Sequence, residues 1–436
     1  MNSSAQDKFA GIAALRPARR RVALEEDAPR GISPDIPAGA QRLAEILGAS
    51  TRANRYGEHL GLRRWFSEPS ESPLDGDALR LMSPDAHESA LNPEQWLFLD
   101  TETTGLAGGT GTYAFLVGIA WWDAGGLEVE QFFMREHSEE HSLLQTLAER
   151  MAERRVLVTF NGKAFDWPLL ETRYQMTRKI KPPAPKAHLD FLHPARNLWR
   201  RKMGSVRLAE LEREVLGLKR GPDVMSELIP SLYYDFLSGG PPEPLIPIFL
   251  HNQMDLCGLA GLSNRVLAML ADPESGGGDA FELFGVSRLC ERRGQTARAK
   301  RLYAKSLETE LPADTGREAR RSLAKLTKKD GDFTAACAHW EALVGNSREG
   351  YEAYEQLAIH YEHHAREPQR AAAIVRKALG ELRRANRLGT VALPFYRRLR
   401  ARFDHRLARL ERKAGRGLLD ALESESQGAA AESNQG

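Results

Sequence analysis

The apolar run Trp96-Leu97-Phe98-Leu99 ends on two carboxylates, Asp100 and Glu102, in the stretch LFLDTETTG. Four bulky apolar residues in a row fit a strand covered on both faces. Side chains alternate along a strand, so residues 100 and 102 share a face. Carrying two charged groups into such a place costs several kcal/mol each unless they are paired or hold a cation. Two more acids stand in similar settings, Asp166 in TFNGKAFDW and Asp255 in HNQMD. Oxygen donors gathered in this way suit hard divalent cations, magnesium or manganese. The expectation requires the four acids to lie together and not be neutralised already by arginine or lysine.

The surrounding elements are legible from pattern. A strand is predicted over 96–101, followed by strands 113–122 and 127–134 as a hairpin around Asp123-Ala-Gly-Gly126. Leu143, Leu144, Leu147 and Met151 fall at helical spacing, giving a helix over 140–152 with Ser138 or a neighbour as cap. Val156–Phe160 is another buried strand, ending in a turn at Asn161-Gly162. A helix then begins near Ala164 and carries Asp166 in its first turn. Beyond a Pro-rich break at 182–185 come a short strand with Asp190, several helices, and a last helix over about 245–270. Three antiparallel strands, then helix, strand and helix, is the RNase H-like order.

D-x-E-T-T-G, N-x-x-x-F-D and H-x-x-x-D, in that order, resemble the DEDD superfamily of 3′–5′ exonucleases. The stretch Leu106-Ala-Gly-Gly-Thr-Gly-Thr-Tyr-Ala-Phe-Leu-Val-Gly118, with a helical tail, resembles its YprB-like branch, an exonuclease domain followed by tetratricopeptide-type repeats. The resemblance covers roughly residues 90–270, and more weakly 281–380. It implies two Mg²⁺ or Mn²⁺ ions. Asp100 would bridge both, Glu102 and Asp255 would complete the shell of one, and Asp166 that of the other. His251 lies four residues before Asp255 and shares its helix face. It would accept a proton from the attacking water, its ordinary pKa being near neutral. The histidine subgroup usually places this base five residues before the aspartate and the tyrosine subgroup four, so a histidine here occupies the tyrosine spacing. A histidine hydrogen-bonded at a domain surface is the plainer alternative.

Weaker candidates carry both readings. Asn161 fixes a turn or touches the substrate backbone. Leu106 abuts the terminal base, as the resemblance implies, or simply packs. Asp190 reads as a structural acceptor or cap and stays outside the metal set. His137-Ser-Glu-Glu-His141 fits an inverted zinc-peptidase pattern, but at a strand-to-helix junction it reads as a solvated loop and cap. Gly108-Gly-Thr-Gly-Thr112 lacks the Gly-Lys-Ser/Thr of a P-loop.

The chain has 436 residues, 42% hydrophobic and 28% charged, ordinary for a protein of two or three domains. The sequence divides into a disordered 1–38, an N-terminal extension and polar linker over 39–93, a catalytic α/β domain over 94–271 and a linker over 272–280. All-α TPR-like repeats with basic helices follow over 281–412, then a disordered tail over 413–436. In the extension, a turn or two of helix over 41–47 and a strand-and-lid segment over 56–66 are expected. Leu289, Leu323 and Leu357 recur every 34 residues and Tyr303 and Trp340 are 37 apart, with small residues at Ala297, Ala335 and Ala371. This reads as three helix-turn-helix repeats.

No apolar run approaches the roughly 18–20 residues that a membrane span needs. The apolar patch Phe9–Leu15 precedes its basic run, the reverse of a secretion signal. Three widely spaced cysteines indicate neither disulfides nor a cysteine-based zinc site. The chain therefore reads as cytoplasmic and without a membrane partner. Its net charge of +2 hides a basic stretch: Arg366–Lys413 holds fifteen Lys/Arg against four Asp/Glu. That run reads as solvated helix faces or as phosphate-backbone contact.

The sequence thus points to a metal-dependent phosphodiesterase of nucleic acid. Single-stranded DNA is favoured over RNA, although the residues leave that choice open. The repeats would bind nucleic acid or a protein partner such as a helicase, in a DNA-repair setting. The rivals are a catalytically silent adaptor and a structure-specific endonuclease on the same fold.

Overall fold

In a computed structural model the described residues are 38–67, 74–105, 110–123, 125–221, 223–275, 279–345 and 347–432, with side chains to 415. The chain separates into two compact units, 1–278 and 279–436. The expected disordered start, 1–37, and Leu106 lie outside the described residues.

The first unit is built on a seven-stranded mixed sheet. Its strands are β1 (Ser50–Asn54), β2 (Gly57–Phe66), β3 (Trp96–Thr103), β4 (Ala114–Asp123), β5 (Gly126–Phe133), β6 (Val156–Thr159) and β7 (Ala187–Asp190), in spatial order β1-β2-β5-β4-β3-β6-β7. Pairing is antiparallel from β1 to β3 and parallel from β3 through β6 to β7. The helices are α1 (Ala38–Leu47), α2 (Gly76–Met82), α3 (Glu140–Glu153), α4 (Asp166–Thr177), α5 (Leu192–Met203), α6 (Leu208–Leu211), α7 (Ile229–Leu237) and α8 (Ile246–Ala271). A π-turn, Glu212–Leu216, continues α6.

β3 sits between β4 and β6, where the sheet changes from antiparallel to parallel. Leu97, Phe98 and Leu99 are completely buried, and full burial of such side chains contributes about 1.5–3 kcal/mol each. Odd residues Leu97 and Leu99 pack with Val117, Ile119, Leu143, Leu147 and Leu170 under α3 and α4. Even residues face α8, which runs across β3, β4 and β5. The acids at the end of β3 thereby meet residues from both layers.

The segment over 56–66 is a strand as expected but not a lid: with β1 it forms a hairpin that extends the sheet beyond β5. Leu60 and Leu62 are buried with Phe133 and Phe249, which supplies the energy for this. The presumed polar linker before β3 contains α2, capped by Asp75 and burying Ala78, Leu79 and Leu81. Ser138 does not cap α3; that helix starts from a 3₁₀ turn at His137–Glu139 without a side-chain cap. The absence of a span-length apolar segment is also corrected. Glu243–Ala271 is long and apolar enough to cross a membrane by composition, but 61% of its most apolar window is buried within the fold.

The second unit contains α9 (Ala280–Arg292), α10 (Thr296–Glu308), α11 (Ala313–Lys329), α12 (Phe333–Glu341), α13 (Arg348–His363), α14 (Pro368–Arg387) and α15 (Leu393–Glu432). They pack as successive pairs, α9 on α10, α11 on α12 and α13 on α14. Of the small residues expected to admit close helix approach, Ala371 is fully buried, Ala335 is half-buried and the others in step are different. Ala297 is exposed, whereas Ala299 and Ala336 are fully or nearly buried. Those two, the left-handed turn glycines Gly294 and Gly331, and the buried Tyr303 and Trp340 all recur at the same spacing of 37. The third turn uses Arg366 with positive φ instead of glycine. The tail expected to be disordered is helical in backbone as far as Glu432.

One glycine is decisive for the site. Gly118 on β4 lies opposite both Asp100 and Gln131 in the sheet, and an added Cβ would stand 2.0 Å from Asn252 Oδ1 of α8. We predict that Gly118→Ala lowers stability by about 1–3 kcal/mol, the usual scale of overpacking, while Gly111→Ala, where a Cβ meets nothing within 4 Å, leaves the denaturant midpoint unchanged. Equal midpoints for the two variants would refute this role for Gly118.

Candidate metal centre

Glu102 is buried and Asp100 partly so, and the two carboxylates lie at the α8 edge of β3. Asn252 Nδ2 donates to Asp100 Oδ2 at 2.7 Å, and Asn252 Oδ1 accepts from Gln131 Nε2 at 2.7 Å. Gln131 Nε2 also donates to the Phe249 carbonyl at 3.0 Å, and its Oε1 accepts from Gln253 Nε2 at 2.7 Å. This chain of buried amides is satisfied end to end and fixes the Asp100 rotamer.

Asp166 enters from the other layer, in the first turn of α4, and its Oδ1 accepts from Thr101 Oγ1 at 2.6 Å. A carboxylate is favourable there because the helix N-terminus carries partial positive charge. The turn before it is held by Asp190, whose carboxylate accepts from the backbone N–H groups of Asn161 (2.9 Å), Lys163 (3.1 Å) and Leu192 (3.0 Å). Asp190 is thus a structural acceptor. Asn161 adopts φ 69°, which an asparagine tolerates in a tight turn.

His251 and Asp255 lie one turn apart on α8. His251 Nδ1 is 2.7 Å from Asp223 Oδ1, so Nδ1–H donates there and Nε2 is turned toward the acids. Nε2 lies 3.7 Å from Asp255 Oδ2 and 4.0 Å from Glu102 Oε1. The spacing of four therefore points the imidazole into the acidic cluster.

Sequence reasoning missed Arg220. Its guanidinium bonds Asp255 Oδ1, pairs bidentately with Glu212 (Nε–Oε2 2.5 Å, Nη2–Oε1 2.7 Å), and reaches Asp223 Oδ2 at 3.1 Å. One of the four acids is therefore already paired with a cation, contrary to expectation. Asp100, Glu102 and Asp166 have no lysine or arginine partner among the described residues. No sequence pattern flagged Arg220, Asp223 or Glu212. A hint for Asn252 and Gln253 existed in their polarity within an apolar helix.

Burial pushes the Asp100 carboxyl well above its usual range, reinforced by the negative charges of Asp255, Glu102 and Asp166 and opposed by Asn252. Glu102 rises for the same reasons, burial first and then Asp255, Asp166 and Asp223. Burial lifts Asp166 to about 6 against the Thr101 hydrogen bond. Glu212 is pushed to about 7, again mainly by burial.

Among the described residues no three metal-ligating side chains form a ready-made cation cage. The donor set nonetheless fits hard divalent ions: it is all oxygen, buried or half-buried, and only Asp255 has a cationic partner among the described residues. Asp100, Glu102, Asp166 and Asp255 are the residues that would hold them.

The stretch with the inverted zinc-peptidase pattern is not the solvated loop and cap expected, because Glu139 and Glu140 are buried in ion pairs. Glu140 takes Arg173 through two hydrogen bonds, Glu139 takes Arg135, and the His137 ring lies 4.4 Å from that of Tyr113.

An acid whose folded pKa is raised binds its proton more tightly in the folded state. Its effect on stability is favourable below the unfolded pKa near 4 and is lost as pH rises through the folded value. In EDTA, Asp166→Asn keeps an acceptor for Thr101 and removes this penalty. We predict that it raises the stability of the metal-free protein at pH 7.5 by about 1–3 kcal/mol, with the gap closing toward pH 4. Thermal unfolding across that range checks it, and a variant less stable at pH 7.5 refutes it.

Against known proteins, a family model described as the RNase_H superfamily matches residues 97–267. YprB of Bacillus subtilis (strain 168) is 33% identical over 301 residues, covering 66% of this chain and 70% of the relative. The superfamily suggests a nucleic-acid-processing phosphodiester hydrolase of the kind that typically uses divalent metals. The chain belongs to the YprB family and carries an RNase H superfamily domain.

Proposed function

We propose that this protein is a metal-dependent 3′–5′ exonuclease of the DEDD type acting on nucleic acid, with single-stranded DNA favoured. The observation that carries the reading is the group of three carboxylates, buried Glu102 and half-buried Asp100 and Asp166, with no lysine or arginine partner among the described residues, beside the Nε2 of an oriented His251. Two divalent ions, when bound, supply an activated water and stabilise the departing 3′ oxygen.

The chain's own residues do the rest. Asn252 fixes Asp100 and Thr101 fixes Asp166. Asp223 holds Nδ1–H of His251, leaving Nε2 free to accept the proton of the attacking water. Phe165, next to Asp166 and 60% exposed, offers an aromatic face for a terminal base. The 3′–5′ direction rests on the resemblance.

The paired helices of the second unit take a protein partner or extend the nucleic-acid path. Arg383, Arg384, Arg387, Arg397 and Arg398 are exposed there, flanking the turn between α14 and α15. A purely binding adaptor gives no reason to keep three buried or half-buried acids short of positive charge, which is why we place it second.

The test is digestion of 5′-labelled single-stranded DNA and RNA with Mg²⁺ or Mn²⁺. Stepwise shortening is expected for wild type, and about a thousandfold less for Asp100→Ala, equivalent to several kcal/mol of transition-state stabilisation. No shortening, or equal shortening by the variant, sinks the reading. Cleavage of a circular single strand would identify an endonuclease instead.

A further inference from the structure

The guanidinium of Arg220 is placed by contacts independent of the four acids. Glu212, whose side chain is 2% exposed, grips it with both oxygens. Glu212 in turn lies against Gly258 of α8, where an added Cβ would come 1.8 Å from Oε1. A glycine on the inner face of a long apolar helix, filled by a buried glutamate that holds an arginine, is a built anchor. From it, Nη2 reaches Asp255 Oδ1 and Nη1 reaches Asp223 Oδ2. Asp255 Oδ2 has no hydrogen-bond partner among the described residues and lies 3.7 Å from His251 Nε2 on the acid-cluster side.

Two roles for such an arginine lead to opposite expectations. A resting counter-ion would compete with a metal for Asp255, so removing it would tighten metal binding. An outer-shell donor would fix the rotamer of Asp255 through one oxygen and leave the other for the metal, so removing it would weaken binding. The geometry favours the second. Arg220 occupies only Oδ1, and its bidentate partner keeps it in place whatever Asp255 does. Charge balance agrees. The region holds six carboxylates (Asp100, Glu102, Asp166, Glu212, Asp223 and Asp255) and one guanidinium, which pairs with the last three, and with all six ionised two divalent ions added to it would still leave one net negative charge. Arg220 has no need to leave.

We propose that Arg220, anchored by Glu212 over Gly258, is a positioning residue that presets Asp255 for a divalent cation. This rests on the reading of Asp255 as a metal ligand. Metal-ligating carboxylates are commonly hydrogen-bonded in this manner, and loss of the outer partner typically weakens metal binding 10–100-fold.

The experiment is calorimetric titration of the full-length protein with Mn²⁺ alone, for wild type, Asp255→Asn, Arg220→Gln and the double variant Glu212→Gln/Arg220→Gln. The double variant leaves no unpaired charge over Gly258 and guards against a fold lost in the single one. Thermal unfolding in EDTA confirms that each is folded. The expected result is an Asp255-dependent binding event weakened about 10–100-fold in both Arg220 variants, with Arg220→Lys recovering only part of it, since an ammonium cannot reproduce the fork on Glu212. Unchanged or tighter binding in a folded variant overturns the proposal and leaves the metal reading intact. If wild type binds Mn²⁺ no better than Asp255→Asn, the metal reading itself fails and this inference falls with it.

Discussion

The site depends on uncompensated negative charge held where water is scarce. A lone buried carboxylate either protonates or recruits a cation, and at the end of β3 the carboxyls of Asp100 and Glu102, held well above their usual range, express that choice. The surrounding fold limits the options to two. It offers one guanidinium, tied to three acids on the α8 side, and nothing comparable for the acids on β3 and α4 among the described residues. A fold that positions acids so closely and supplies so little positive charge is suited to bind cations from outside.

Precision at Asp100 comes from the contact between helix and sheet. Most of α8 is apolar, but Asn252 and Gln253 are buried and directed at the sheet. They are tolerable because Gln131 and Asp100 satisfy them, and because Gly118 gives the Asn252 amide room to lie on the strand. The same polar pair shows why span-length hydropathy alone does not make α8 a membrane helix: its polar side chains are paired inside the domain. Sheet, helix and acid are one unit, so a methyl at Gly118 would be felt at Asp100.

Much of this was legible in the sequence because it is local. An apolar strand ending in two acids, and a turn leading into a helix with an acid in its first turn, are patterns of a few residues whose physics does not depend on distant partners. Arg220 and Asp223 were not legible, since an irregular stretch has no periodicity and their meaning comes from Asp255 and His251, about thirty residues further on. The strand over 56–66 was legible, but β1 and the pairing of β2 into the sheet were missed for a similar reason. Alternation in GEHLGLRRWF is weak, and its burial is decided by α1 and α8, which pack against the same cluster. In the second unit the spacing of aromatics was a better guide than that of leucines. Turn glycines and buried alanines keep step with Tyr303 and Trp340, because those positions are fixed by backbone geometry and close helix approach rather than by apolarity alone.

The basic stretch before Lys413 shows the limit of reading charge in one dimension. A window over 366–413 holds an excess of eleven cations, yet much of it is spent within the unit. Glu362, with no exposed side-chain surface, receives Arg409 at 2.6 Å, Lys413 at 2.7 Å and Arg406 at 3.3 Å, while Glu355 takes Arg402. These acids stand on α13, 44 to 51 residues upstream of the cations that Glu362 binds, outside any window that would have counted them. Because a buried carboxylate needs cations more than an exposed one does, α15 is bound to α13 by charge as well as by Leu399, Phe403 and Leu410. Arg366, Lys377 and Arg412 also face solvent, but the densest exposed group, Arg383, Arg384, Arg387, Arg397 and Arg398, flanks the α14–α15 turn and concentrates there the field that a phosphate backbone would meet.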